Sequence, residues 1–143
     1  MTETKKDPTM ERLEDQINWY DKKSLTNQRL FKLLKIAIIV SAALIPFLSG
    51  LGTPVHISGG LGVLIVILEG LQQLNQYQQN WIIYRSTCEA LKHEKYLFLK
   101  RAGDYAQTPN PEILLAERIE GLVSTEHAKW VSSREQTSKP KAG

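Results

Sequence analysis

The side chains able to do chemistry in this chain are few and dispersed. Glu89 and His93 stand four residues apart, which puts both on one helical face and could offer two ligands to a metal ion. An ordinary solvated pair has the same spacing. The other histidines, His56 and His127, are distant in the chain, and no HExxH motif occurs. Gly60-Leu61-Gly62 lacks the third glycine of a dinucleotide loop and has no βαβ context. There is no GxxxxGK[ST] run, and no nucleophile elbow presents a serine to a histidine. Cys88 is the single cysteine, so it can join neither a disulfide framework nor a CxxC pair, and it reads as a small apolar filler. No catalytic residues, metal site or cofactor are expected, and the chain does not read as an enzyme.

The informative ionisable residue is Glu69, because of what surrounds it. Residues 36–71 form two apolar runs joined by a Gly/Thr/Pro hinge. The first, Ile36 to Gly52, has 17 residues without a charge and as a helix covers roughly 25 Å, near the lower limit for crossing a hydrocarbon core. Leu33 and Leu34 extend it backward across Lys35, whose long stem can snorkel. The second, from Val55 to Leu68, contains His56 and three glycines and ends at Glu69. Two membrane spans, about 33–52 and 55–71, are expected. The competing reading is a soluble bundle with an unusually apolar hairpin.

The flanking charges favour the membrane. Residues 1–35 hold eight Lys/Arg and residues 72–143 hold ten, while the connection from Ser49 to Ser58 holds none. Lys and Arg stay on the cytoplasmic side of membrane helices, so both termini are expected there and the hinge outside. The apolar run starts too late, and is too long, for a cleaved secretory signal. A net charge of +3 over 143 residues is mild, with no concentrated basic face, so no nucleic-acid partner is expected. The excess suits membrane lipid instead.

The rest of the chain reads as polar helices of one folding unit. Residues 1–9 are expected to be a flexible tail and 135–143 a disordered one, with a single helical domain over 10–134. Thr9 can cap a first helix with Met10, Leu13, Ile17 and Tyr20 on one face, and Ser24, Thr26 and Asn27 suggest a bend. From Ile57 to Ala102 there is no proline, so the second span is expected to run straight into a long helix capped by Gly103. Its amide-rich neck, residues 72–80, precedes an apolar stripe of Trp81, Tyr84, Cys88, Leu91 and Phe98. Asn110-Pro111-Glu112 is a helix start, and Leu115, Ile119, Leu122, Val123 and Trp130 share the face of the helix that follows. The predicted fold class is all-α, a two-helix transmembrane hairpin carrying a small bundle of long amphipathic cytoplasmic helices.

Within the hairpin, Ala37 and Ser41 are four apart, as are Ser58 and Gly62. Small residues at that spacing allow close helix approach. They can pack an oligomeric channel or simply the hairpin of one subunit. Glu69 can likewise sit at a pore mouth or be an interfacial carboxylate in water. Trp81, Tyr84 and Trp130 are candidate contacts for a cytoplasmic partner.

Asn80-Trp81-Ile82-Ile83-Tyr84-Arg85-Ser86-Thr87-Cys88-Glu89-Ala90-Leu91-Lys92, continuing through Glu94-Lys95-Tyr96-Leu97-Phe98-Leu99 to Gly103-Asp104-Tyr105, resembles the characteristic stretch of the DUF4231 proteins of the bacterial SLATT superfamily. Trp19 to Ser24 and Glu120 to Trp130 are similar to the flanking elements, so the resemblance covers about residues 10–134. It implies two transmembrane helices with cytoplasmic extensions, in the bacterial inner membrane. It also implies a membrane effector of a conflict or defence system, paired with a sensor or nucleotide-signalling protein; with the small-residue faces and Glu69, the expected form is a homo-oligomeric pore. A non-conducting membrane scaffold whose helical bundle recruits a partner is the alternative.

Overall fold

The computed structural model describes residues 7–138. Among them there is no strand. The order is α1 (Pro8–Gly50), α2 (Val55–Asn75), α3 (Tyr77–Lys100), a 3-10 turn (Gly103–Ala106) and α4 (Pro111–Ser138). The all-α class is therefore the observed one. Where composition suggested one folding unit, the contacts divide into two. One comprises the residues up to Ser24 together with those from Ile82 onward, and the other is Leu25–Trp81.

The helix ends follow from local chemistry. Asp7, rather than Thr9, caps α1: its Oδ1 accepts the Thr9 N–H at 3.1 Å and its carbonyl accepts the Glu11 N–H at 3.0 Å. Pro8 then takes the first helical position, where no N–H is needed. Pro8 and Thr9 are thus helical rather than tail, as are residues 135–138 at the end of α4. The remaining tail residues, 1–6 and 139–143, lie outside the described residues. Ser24, Thr26 and Asn27 do not break the helix, which continues through them. Such residues cost a helix only some tenths of a kcal/mol each, and no Gly or Pro stands with them. At the far end of α1 the Thr53 N–H bonds to Leu48 O (3.3 Å) and the Gly52 N–H to Ser49 O (3.2 Å), while Gly52 turns left-handed at φ +74°. This is a Schellman ending, and Thr53 Oγ1 adds a 2.7 Å bond to Leu48 O.

The expected unbroken helix from the second run is two helices. The break falls at Gln76, a left-handed residue (φ 50°, ψ 40°) whose N–H bonds to Gln72 O. Neither Gly nor Pro marks it. The neighbouring amides compensate the interrupted ladder, with Asn75 Nδ2 donating to Leu71 O and Asn80 Nδ2 to Asn75 O, both at 3.0 Å. At the end of α3 the left-handed position is Arg101 (φ 49°), not Gly103, with Ala102 N–H to Leu97 O at 3.0 Å and Arg101 N–H to Phe98 O at 3.2 Å. Gly103, also at positive φ, opens the 3-10 turn instead. Pro111 begins α4 as its motif suggested, and the Leu114 N–H bonds to Asn110 O.

The larger unit has a true core. Leu13, Ile17 and Tyr20 of α1, Cys88 and Leu91 of α3, Tyr105 of the 3-10 turn, and Leu115 and Ile119 of α4 are buried together. Met10, Tyr84, Phe98, Leu122 and Val123 pack around them. These are the stripes that helical spacing picked out. Burying each such aliphatic side chain stabilises by about 1.5–3 kcal/mol.

Arg101→Gly should stabilise the protein by about 0.5–1 kcal/mol, since relief of the left-handed strain exceeds the added unfolded-state entropy. Thermal unfolding of the full chain in a neutral detergent measures this. A lower midpoint would show that the Arg101 side chain contributes more than its backbone costs.

Candidate functional site

Within the unit Leu25–Trp81, the two apolar helices cover only one stripe of each other. The less exposed positions are Leu34, Ile38, Ser41, Ile45 and Leu48 on α1, and Ser58, Leu61, Ile65, Leu68 and Gln72 on α2. Their steps of three and four residues trace a single seam. The large apolar side chains on the other faces are open: Leu33 is 65 % exposed, Phe47 63 % and Val66 71 %, with Ile36, Ile39, Val40, Val63 and Ile67 similarly placed. By length and composition both helices could cross a membrane.

Several polar groups of the hairpin lie on or beside the seam. Ser41 is buried, and Ser49 and Ser58 meet through their hydroxyls at 3.5 Å near the turn. Toward the other end Lys35 Nζ lies 3.6 Å from Glu69 Oε2, with both side chains partly exposed. Gln72, 7 % exposed, donates from Nε2 to the carbonyl of Phe31 at 3.2 Å. Ala37, Ser58 and Gly62 are half-covered beside them. Gly62 is not there for close approach within the chain, because a Cβ built on it would meet nothing within 4 Å. The same openness holds at Gly59, Gly60 and Gly70. The amide-rich neck thus begins with a buried residue, Gln72, whose side chain bonds to the α1 backbone.

In the other unit the polar groups tie helices together. Tyr20 donates to Glu126 at 3.1 Å in the interior, and Tyr105 donates to Glu94 at 2.6 Å. Arg12 pairs with Glu120, Lys95 with Glu14 and Arg118 with Asp104. None of these long-range pairs was visible in the sequence, since each depends on which helix faces which. Glu89, which shares a helix face with His93, is engaged by Arg85 at 2.7 Å and Lys92 at 3.5 Å. No group of three His, Cys, Asp or Glu side chains able to hold a metal occurs among the described residues.

Tyr84 packs on this core and meets Trp19 edge to face at 5.8 Å. Trp130 lies between Arg134, 4.2 Å over its ring, and His127, stacked at 6.3 Å. Trp81 is half-covered and belongs to the hairpin unit. The three aromatic candidates therefore do not form one cluster within a unit. Burial raises the Cys88 thiol above its usual range, and its Sγ donates to Ile17 O at 3.6 Å. That suits a packed filler better than a nucleophile. Burial, with the nearby Glu126 carboxylate second, raises the phenols of Tyr20 and Tyr84. Burial and the bond to Glu94 raise Tyr105.

Residues 15–112 match the family described as a protein of unknown function, DUF4231. This chain belongs to the DUF4231 family. No curated protein and no solved structure matches it. The DUF4231 match takes in α1 from Asp15 onward and all of α2 and α3, and ends in the first turn of α4. Glu126 and Trp130 lie beyond it.

Because the folded-state values of Tyr20 and Tyr105 are raised, their contribution to stability is complete below the unfolded value of 10.0. It is lost as pH rises above that value. Unfolding midpoints measured above pH 10 should therefore fall, and Tyr20→Phe should flatten the fall. Near neutral pH the same change should cost about 1–3 kcal/mol by leaving buried Glu126 without its donor. A pH profile unchanged by Tyr20→Phe would exclude this coupling.

Proposed function

We propose that this DUF4231 chain is an integral protein of the bacterial inner membrane with both termini cytoplasmic. We further propose that it acts as an oligomeric, ion-conducting effector of a conflict system. The observation that carries the reading is the distribution of side chains on the hairpin. Many of its bulky apolar residues are exposed, while Ser41, Ser58 and Gln72 lie on the seam between α1 and α2, with the Ser49 hydroxyl and the Lys35–Glu69 pair at its edges. Lipid suits the first set and not the second. The arrangement corresponds to a closed state, and conduction requires seams of neighbouring subunits to open toward one another.

The glycines support association. A glycine in a helix costs about 1 kcal/mol relative to alanine, yet the space beside Gly59, Gly60 and Gly62 is unused within the chain. Close approach of a second helix would use it. The positive-inside asymmetry supports the orientation, and the role in conflict rests on the resemblance of the motif residues to SLATT proteins, of which the DUF4231 match over residues 15–112 supports the family part. This chain's activating signal would then come from a sensor or nucleotide-signalling partner.

One feature favours a second reading, a non-conducting scaffold. Trp130, stacked between His127 and Arg134, lies outside the buried core and could serve as a docking face for a cytoplasmic protein.

Ion flux from proteoliposomes containing the full chain separates the two. Flux should occur with the wild type and be reduced at least tenfold in the combined Gly62→Leu, Glu69→Leu variant. Flux unaltered by those changes would sink the pore assignment. Silence of a protein that resists alkaline carbonate extraction would favour the scaffold.

A further inference from the structure

The unit Leu25–Trp81 contains only four charged residues, Arg29, Lys32, Lys35 and Glu69. The three cations stand at steps of three residues along two turns of α1, at the end of the hairpin remote from its turn. Lys35 has Glu69 as a partner at 3.6 Å. Arg29 and Lys32 are exposed, and neither has an ion-pair partner among the described residues. Between and beside them Leu30 and Leu33 are exposed as well, Leu33 strongly so. The stretch from Gly70 to Trp81 contributes no charge to this end of the hairpin, only neutral amides such as exposed Gln73, Gln78 and Gln79. The opposite end, Ser49 to Ser58, has no Lys or Arg at all.

On these grounds we propose that Arg29 and Lys32 form a headgroup site for anionic phospholipid, on one leaflet only. The inference rests on the membrane reading above. Two cations with one exposed leucine between them and another beside them match a ligand that has a phosphate and acyl chains in the same molecule. A soluble anion would need convergent donors in a concavity, and here the two groups lie on a convex helix surface. Arg29 can fork onto two phosphate oxygens, and Lys32 supplies a point charge one turn further toward the apolar belt. Lys35 is excluded from the site by Glu69, which sets its inner limit.

The test uses the full chain in a neutral detergent, titrated with dansyl-labelled phosphatidylglycerol or phosphatidylcholine and read by energy transfer from tryptophan. A cation near an anionic lipid surface strengthens binding roughly fivefold. The Arg29→Gln, Lys32→Gln variant should therefore lose roughly 25-fold of its preference for phosphatidylglycerol. The Arg29→Lys, Lys32→Arg variant should keep it. Equal binding of the two lipids by the wild type would overturn the proposal, as would a preference that survives the glutamine changes. Competition by inorganic phosphate at millimolar concentration would assign the site to a soluble anion and also overturn it. Flotation with pure phosphatidylcholine vesicles, followed by carbonate extraction, reports insertion independently. A chain that fails there fails the membrane reading itself, whereas one that inserts without lipid preference fails only this inference.

Discussion

A pair of helices can cover only one stripe of each other's circumference, and this constraint governs the hairpin. Residues 36–52 and 55–68 are apolar nearly all the way round, so mutual packing leaves most of that surface open. Water is a poor solvent for it: at about 25 cal/mol per Å² each exposed leucine or isoleucine carries a cost that a soluble fold would avoid. The backbone has no such difficulty, since helices satisfy their own hydrogen bonds and need none from the surroundings. On the proposed membrane reading, lipid on the outside and a packed seam on the inside resolve the constraint together.

The seam then acquires its character by exclusion. Several of the polar side chains near the seam find each other or a carbonyl. Gln72 reaches Phe31 O, Ser49 meets Ser58, and Lys35 lies by Glu69. The glycines of α2 stand open beside this seam, with room for a Cβ at each of Gly59, Gly60, Gly62 and Gly70.

The other unit is held differently. Its core is conventional, with leucine, isoleucine, tyrosine and one cysteine from three helices and a 3-10 turn. Specific pairing comes from polar links across that core, above all Tyr20 with Glu126 and Tyr105 with Glu94. A phenol that must stay protonated to donate to a carboxylate fixes the relation of two helices more narrowly than aliphatic packing does. The cysteine takes part only as a space-filling donor to Ile17 O.

Much of this was legible in the residues. Helical spacing identified the faces around Leu13, Ile17 and Tyr20, around Cys88 and Leu91, and around Leu115 and Ile119, because a 3.6-residue period is a property of the chain alone. The Thr53-Pro54 turn and the Pro111 start were legible for the same reason, since Pro and Gly act locally. The continuity of α1 through Asn27, the break at Gln76 and the left-handed Arg101 were not. Each is a small local cost that neighbouring hydrogen bonds or packing decide, and propensity differences below 1 kcal/mol cannot foretell them. The sequence by itself determined the helical class, the apolar hairpin and the placement of its cations. Only the tertiary structure decided that Glu69 pairs with Lys35, that Gln72 is buried, and that Tyr20 meets Glu126, because those contacts join residues 34, 41 and 106 positions apart.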